Sequence, residues 1–200
     1  MASGVMLIVC GPSGVGKSSL CARLLEEHPR LTMSVSYTTR DRRGAEVDGE
    51  AYHFVGSQRF EAMREDGAFA EWAEVHGNCY GTSRAVIEEA WERGQDLVFD
   101  IDYQGARQLK EAYPQSTAVL VVPPNLVVLE ERLRGRGTDA DEVIQGRLKA
   151  ARHELEQYPM FDFIVENDEF EAAAKVFDAI YLAAGHARSI KAPVVDEMLR

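Results

Sequence analysis

The sequence predicts an α/β domain built on a mostly parallel sheet, and three observations support this prediction. Apolar runs of strand length recur along the chain and alternate with segments of helical periodicity. The first run, over residues 5–10, shows no polar alternation, which is typical of a central parallel strand covered on both faces. A glycine-rich segment follows it and leads into a helical pattern. Parallel sheets of this kind bind ligands at the carboxyl ends of their strands.

Short apolar runs between turn residues predict the strands of the main sheet. These runs lie over residues 5–10, 33–37, 96–101, 117–122 and 161–165. Apolar residues three and four positions apart predict the helices between them. The helical segments are 17–28, 84–93, 103–112, 125–133, 143–155 and 169–184. We expect the chemistry at the strand ends, which fall at Cys10, Ser36, Asp102 and Val122.

Residues 37–83 interrupt the alternation. Charged residues and glycines cluster over 40–49, extended segments are predicted over 51–55 and 69–75, and a helix over 57–65 separates them. This segment is interpreted as an inserted lobe. We expect one domain over 4–186, with a core of 4–36 and 84–186, an inserted lobe at about 37–83 and a lid at about 134–147. A loose tail is expected over 187–200.

Composition excludes several classes of protein. The chain has 200 residues, 46% of them apolar, and a formal net charge of −11. No apolar run approaches the roughly 18 residues of a membrane helix, and the acidic balance gives no bulk attraction to nucleic acid or anionic lipid. The first residues have no basic signal-peptide region. From the charge and the short apolar runs we expect no membrane and no nucleic-acid partner. Three cysteines, Cys10, Cys21 and Cys79, fit neither a disulfide framework nor a zinc site, so we expect a cytoplasmic location.

Residues 11–18 carry a phosphate-binding pattern. They spell GPSGVGKS, which fits G-x-x-x-x-G-K-[ST], between a predicted strand and a predicted helix. The N–H groups of such a loop bind phosphate oxygens, Lys17 is expected to reach the β- and γ-phosphates, and Ser18 to hold Mg²⁺. The predicted ATP-binding residues are Gly11, Pro12, Ser13, Gly14, Val15, Gly16, Lys17, Ser18 and Ser19. The alternative is an ordinary glycine-rich turn before a helix.

Two acids stand at the end of the predicted strand over 96–101. Asp100 and Asp102 are two positions apart, so they share one side of an extended chain. A carboxylate at the end of an apolar strand suits the magnesium ion that accompanies a nucleoside triphosphate. Ser18 and Asp100 are therefore the predicted metal ligands. For Asp102, capping of the following helix stays open as an alternative.

Further motifs extend the pattern over most of the chain. They are SVSYTTR at 34–40, Arg43, GEAYHF at 49–54, EW at 71–72, GNCYGT at 77–82, DIDYQG at 100–105, RGT at 136–138 and ND at 167–168. With these motifs the chain resembles the guanylate kinases from about residue 5 to 184. The resemblance implies a P-loop NTPase-type three-layer fold with an inserted nucleoside-monophosphate-binding lobe and a small lid. It also implies transfer of the γ-phosphate of Mg·ATP to GMP, and to dGMP.

The resemblance assigns roles to matching positions. The implied GMP-binding residues are Ser36, Arg40, Arg43, Tyr52, Glu71, Tyr80, Thr82 and Asp102. On the ATP side it implies Arg132, Arg136 and Asn167, and the implied catalytic residues are Lys17, Arg40, Arg136 and Arg147. Guanine chemistry agrees, because a carboxylate such as Glu71 can accept the parallel N1–H and N2–H₂ donors. The alternatives are a surface strand position for Glu71 and solvated positions for the arginines.

The sequence departs from the family pattern at three positions. Arg42 stands where the family has Pro, Ala45 where it has Gly, and Cys79 where an aromatic residue is common. These changes put the conformation of residues 41–48 in question. The rival functions are a protein-binding scaffold of the guanylate-kinase type, a kinase for AMP, TMP or CMP, and a GTP-hydrolysing switch. The sequence identifies no protein partner.

Overall fold

The computed structural model describes residues 4–75, 77–135, 137 and 140–200. Within these residues the strands are β1 (Met6–Cys10), β2 (Leu31–Met33), β3 (Tyr37–Thr38), β4 (His53–Phe54), β5 (Phe69–Val75), β6 (Asn78–Ser83), β7 (Asp96–Asp100), β8 (Thr117–Val122) and β9 (Phe163–Glu166). The helices are α1 (Lys17–Glu27), α2 (Ser57–Glu65), α3 (Arg84–Glu92), α4 (Tyr103–Ala112), α5 (Leu126–Arg134), α6 (Asp141–Leu155), α7 (Phe170–Gly185) and α8 (Arg188–Met198).

The main sheet contains five strands in the order β2-β7-β1-β8-β9, and all of its pairings are parallel. Strand β1 lies at its centre, as the uninterrupted apolar run predicts. The side chains of β1 alternate between two buried clusters. Leu7 and Val9 pack with α1, α5, α6 and α7, whereas Ile8 and Cys10 pack with α3 and α4. Helices on both faces of a parallel sheet make a three-layer α/β domain, so the predicted fold class is confirmed.

A second sheet, of four strands in the order β4-β3-β6-β5, is formed by residues 37–83 together with α2. Strands β5 and β6 form an antiparallel hairpin. The rings of Phe60 and Phe69 stack with centroids 4.6 Å apart, so α2 packs against this sheet. The segment therefore forms its own sheet, in agreement with the change of sequence texture there. Its assignment as an inserted lobe stays a prediction.

The strand predicted over residues 33–37 is wrong, because two sheets share that stretch. Strand β2 ends at Met33, after which the Ser34 N–H donates a last hydrogen bond to the Val98 carbonyl. Tyr37 and Thr38 then pair with β6 and β4 in the second sheet. Ser36 therefore lies on the connection between the sheets and not at a strand end of the main sheet.

The loose tail predicted over 187–200 also needs correction. Residues 188–198 form helix α8, and none of its residues is buried. Helical hydrogen bonds are local, so the segment is helical without contributing to the core, even though it contains Pro193. Within the described ranges, no helix combines the length and the apolar character that crossing a membrane requires.

A buried carboxylate, Asp96, joins the first strand to the last long helix. One of its oxygens accepts the Val5 N–H at 2.7 Å, and the other accepts the Tyr181 hydroxyl at 2.8 Å. The Arg30 guanidinium lies 3.8 Å away. Burial, together with this bond to Asp96, raises the pKa of the Tyr181 hydroxyl. The carboxylate thus holds the start of β1, strand β7 and helix α7 together.

Replacing Tyr181 by Phe is expected to lower the free energy of unfolding by about 2 kcal/mol, because the buried Asp96 loses a hydrogen bond. Tyr158→Phe is the matched control, since Tyr158 is 57% exposed, and it should change the free energy by less than about 0.5 kcal/mol. Denaturant unfolding of both variants measures the difference. Equal stability of the two variants would contradict this account of Asp96.

Candidate active site

The phosphate-binding pattern forms the connection between β1 and α1. Gly11, Gly14 and Gly16 have φ values of 143°, 93° and 96°, which residues other than glycine rarely adopt. Close contacts add to this requirement. A Cβ on Gly11 would lie 2.2 Å from the Val121 carbonyl oxygen, and one on Gly16 would lie 2.4 Å from Asn167 Nδ2. The glycines of the pattern are thus required by both backbone conformation and space.

Lys17, Ser18 and Asp100 lie together where this loop meets helix α1. Lys17 Nζ donates to the Gly11 carbonyl at 2.5 Å and lies 3.8 Å from Asp100 Oδ1. Ser18 Oγ donates to Asp100 Oδ2 at 3.4 Å. Burial raises the pKa of the Asp100 carboxyl, and the Lys17 charge opposes that shift. Mg²⁺ prefers hard oxygen ligands such as hydroxyls and carboxylates. A nearby cation would also stabilise the ionised form of Asp100, so Ser18 and Asp100 fit this ion.

Asp100 ends strand β7, whereas Asp102 belongs to the start of helix α4. It is the N-cap of α4, where Oδ1 accepts the Gly105 N–H at 3.0 Å, and its Oδ2 accepts the Gln104 amide at 2.9 Å. The capping alternative is therefore correct for this residue. Its charge also raises the pKa of Glu71, which places it near the predicted guanine-binding residues.

Glu71 lies on β5, opposite Thr82 of β6, and only 4% of its surface is exposed. The Thr82 hydroxyl donates to Glu71 Oε1 at 2.7 Å, and Ser36 Oγ lies 3.5 Å from Thr82 Oγ1. Burial raises the pKa of the Glu71 carboxyl from 4.5 to about 7, although the Thr82 hydrogen bond opposes the shift. The surface position considered for Glu71 is therefore wrong. The structure brings a carboxylate and two hydroxyls together, as the sequence predicts.

Arg40 is the buried member of the basic cluster, with 9% of its side chain exposed. Its two terminal nitrogens donate to the two carboxylate oxygens of Glu46, at 3.0 and 2.8 Å. The guanidinium lies 5.3 Å from the centre of the Tyr52 ring, and Tyr52 packs against Tyr80 at 5.8 Å. Burial raises the pKa of the Tyr52 hydroxyl, so it stays a hydrogen-bond donor. The arrangement holds one cation and two phenols together.

The sequence prediction missed Glu46, which orients this cluster. Besides Arg40, it accepts the main-chain N–H of Arg43 at 2.8 Å. The Arg43 side chain is exposed, so the structure holds Arg43 near the cluster through its backbone. The only sequence signal is that Glu46 follows Arg40 and Arg43 by six and three positions, a spacing that fits none of the motifs named above. Arg42, which stands where the family has Pro, lies 3.9 Å from Asp48 and forms an ion pair with it.

Three further predicted residues, Arg147, Asn167 and Arg132, lie at the phosphate-binding loop. Two of them contact the loop directly, and the third contacts Asn167. Arg147 Nη1, on α6, donates to Ser13 Oγ at 3.3 Å. Asn167 is buried and donates to the Val15 carbonyl at 2.7 Å, while Arg132 donates to the Asn167 carbonyl at 2.8 Å. Arg132 and Asn167 therefore brace the loop. Ser19 is exposed on α1, and the predicted catalytic Arg136 lies outside the described residues.

The fold and the loop define a class of protein. A parallel sheet whose central strand runs into a glycine-rich loop, with a lysine and a serine beside an acid of the next strand, is the P-loop NTPase-type fold. The predicted three-layer architecture of that class is confirmed by a solved structure, a guanylate kinase from Anaplasma phagocytophilum. The TM-score is 0.75 at 30% identity, with 91% of this chain and 86% of that chain covered.

The sequence comparisons agree. A family model described as guanylate kinase matches residues 3–183. The chain is 47% identical over 183 residues to a guanylate kinase of Syntrophotalea carbinolica, covering 92% of this chain and 87% of that protein. It is 48% identical over 170 residues to one of Chromobacterium violaceum, covering 85% and 81%. The chain belongs to the guanylate kinase family. The predicted family and the predicted enzyme class, a nucleoside monophosphate kinase, are confirmed.

The raised pKa of Glu71 predicts a pH dependence of stability. The folded protein keeps this proton up to about pH 7, whereas the unfolded chain releases it near 4.5. The folded state binds more protons in that window, so stability falls as the pH rises through it. Relative to Glu71→Gln, wild type should lose on the order of 2–3 kcal/mol of unfolding free energy between about pH 5 and pH 8. Denaturant unfolding at both pH values tests this, and a constant difference would contradict it.

Proposed function

We propose that this chain transfers the γ-phosphate of Mg·ATP to GMP, and also to dGMP, through the residues described above. The products are ADP and GDP, so the reaction serves purine nucleotide metabolism. The observation that carries the assignment of the acceptor is Glu71, a buried carboxylate that accepts the Thr82 hydroxyl and lies near the acid Asp102. Guanine supplies the two parallel N–H donors that this carboxylate accepts best. Adenine lacks these donors and would leave Glu71 buried without them.

The rest of the guanine edge is bound by neighbouring polar groups. Ser36 can donate to O6 of the base, Thr82 holds the Glu71 carboxylate through its hydroxyl hydrogen, and Asp102 adds a second carboxylate on the α4 side. The phosphate of GMP is bound by the Arg40 guanidinium with the hydroxyls of Tyr52 and Tyr80. Arg43 extends the same cationic surface. The lobe over about 37–83 thus presents one nucleotide to the phosphate loop.

ATP binds on the loop, with its phosphates on the backbone N–H groups and on Lys17. Ser18 and Asp100 hold Mg²⁺, which neutralises phosphate charge when bound. Arg147 reaches the loop from α6. The family resemblance assigns Arg136, in the predicted lid over about 134–147, to the same phosphates. Arg132 and Asn167 keep the loop in shape.

The chemical step is a direct transfer between the two nucleotides. A phosphate oxygen of GMP forms a bond to the γ-phosphorus, and the bond from that phosphorus to the bridging oxygen of ADP breaks. Catalysis consists of alignment and of positive charge near the transferring group, from Lys17, Arg40 and Arg147. Closure of the lobe and the lid would exclude water from this step.

The location and partners follow from the same reading. The partners are ATP and GMP. Cys10, Cys21 and Cys79 are free thiols, which agrees with the reducing cytoplasm. The cytoplasmic location is part of the proposal.

A panel of nucleoside monophosphates with Mg·ATP tests the proposed function. GMP and dGMP should be consumed, AMP, CMP and TMP should not, and EDTA should abolish turnover. Lys17→Ala should lower kcat by about a thousandfold without unfolding the protein, since it removes charge from the transferring phosphate. Lys175→Ala, an exposed lysine on α7, is the matched control and should match wild type.

Two results would contradict the proposal. One is consumption of AMP or a pyrimidine nucleotide in preference to GMP. The other is turnover of the Lys17→Ala variant within about tenfold of wild type, which would remove this lysine from the chemistry.

A further inference from the structure

Strand β5 is an edge of the second sheet, and one side chain of the main domain completes that edge. Gln108 lies on α4 and makes two hydrogen bonds to the backbone of a single residue. Its Oε1 accepts the Trp72 N–H at 3.2 Å, and its Nε2 donates to the Trp72 carbonyl at 2.7 Å. An amide side chain here replaces the main-chain amide of a neighbouring strand. It satisfies both backbone groups of Trp72, which β5 directs away from β6.

The residue held in this way directly follows Glu71. The Trp72 N–H belongs to the planar peptide unit that joins the two residues, so a shift of the Trp72 backbone moves Glu71 as well. The same helix contacts the Glu71 carboxylate at a second point. A Cβ placed on Gly105 would lie 2.4 Å from Glu71 Oε2, so the carboxylate rests against the α4 backbone there. Gly105 and Gln108 are three positions apart and share one face of α4.

We propose that Gln108 is a positioning residue for the base selectivity of this kinase. By fixing the β5 backbone to α4, it sets the angle and distance at which the Glu71 carboxylate meets the purine edge. The inference rests on the proposed role of Glu71 in guanine binding. It adds a residue that touches no substrate and acts through the strand.

The proposal predicts a loss of selectivity that a purely structural role would not cause. The base of IMP has the N1–H of guanine but lacks its N2 amino group, so it offers the carboxylate one donor where GMP offers two. Alignment of both hydrogen bonds requires a fixed carboxylate, whereas a single hydrogen bond tolerates tilt. Loosening of Glu71 therefore weakens GMP recognition more than IMP recognition. General destabilisation would affect the two substrates equally.

The test measures kcat and KM for GMP and IMP with saturating Mg·ATP. Gln108→Leu removes both hydrogen bonds to Trp72 at similar side-chain volume. It should raise the KM for GMP and lower the ratio of kcat/KM for GMP over IMP by about threefold to tenfold, the effect of one buried hydrogen bond, with a smaller change in kcat. Gln157→Leu is the matched control, because Gln157 contacts Arg107 and the His153 carbonyl away from β5. It should leave the ratio at the wild-type value.

Gly105→Ala is a second route to the same readout. Alanine favours the helix, and its Cβ should push the flexible end of Glu71 aside, so this variant should fold and lower the same ratio. It keeps the proposal testable if Gln108→Leu folds poorly.

A double-mutant cycle shows whether Gln108 acts through Glu71. Glu71→Gln alone should lower the GMP over IMP ratio, and adding Gln108→Leu should lower it no further. An unchanged ratio in both Gln108→Leu and Gly105→Ala would overturn the proposal. So would an additional loss in the double variant, because it would show an effect that bypasses Glu71. Failure of the proposed function itself is distinguishable, since wild type would then show no preference for GMP over IMP.

Discussion

The site is organised around a carboxylate buried without a cation. Among the described residues no basic side chain forms an ion pair with Glu71, and the charged group that shifts its pKa is the acid Asp102. A buried charge of this kind is costly, and here the free protein lowers that cost by holding a proton near neutral pH. In the proposed function, a ligand that brings two N–H donors restores the ionised form. The energetic cost of the free site is then the proposed source of selectivity for the base.

The opposite arrangement is found at the two proposed phosphate-binding regions, around Lys17 and around Arg40. There the protein, with a net charge of −11, supplies local positive charge. Lys17 lies between a carbonyl of the loop and Asp100, and Arg40 is held by both oxygens of Glu46. Each cation is thus fixed before substrate binds, so less conformational entropy is lost on binding. Acidic partners orient the basic groups of the site.

The sequence predicts the parts of this structure that depend on local pattern. The uninterrupted apolar run before the glycine loop predicts a central strand, and the acid after a second strand predicts the partner of Ser18. Helix α4 and strand β8 have the predicted bounds. The family resemblance adds the residues around Glu71, and the structure brings Ser36 and Thr82 to it. Without the family resemblance, a surface strand position would have been the prediction for Glu71.

The remainder depends on contacts between distant residues. The stretch over 33–37 is divided because β6, more than forty residues later, supplies the hydrogen bonds for Tyr37 and Thr38. Glu46 and Gln108 follow no motif, since each acts through a backbone or side-chain partner that only the fold brings near. Helix α8 was not predicted for a different reason. None of its residues is buried, so its sequence carries no periodic apolar pattern.

Proton release on GMP binding tests the central claim most directly. Calorimetric titrations at about pH 7, in buffers of different ionisation enthalpy, count the protons exchanged. With a Glu71 pKa of about 7, wild type should release about half a proton more per bound GMP than Glu71→Gln does. Equal proton exchange in the two proteins would contradict the account, because it would mean that the Glu71 carboxyl keeps the same protonation state with and without the base.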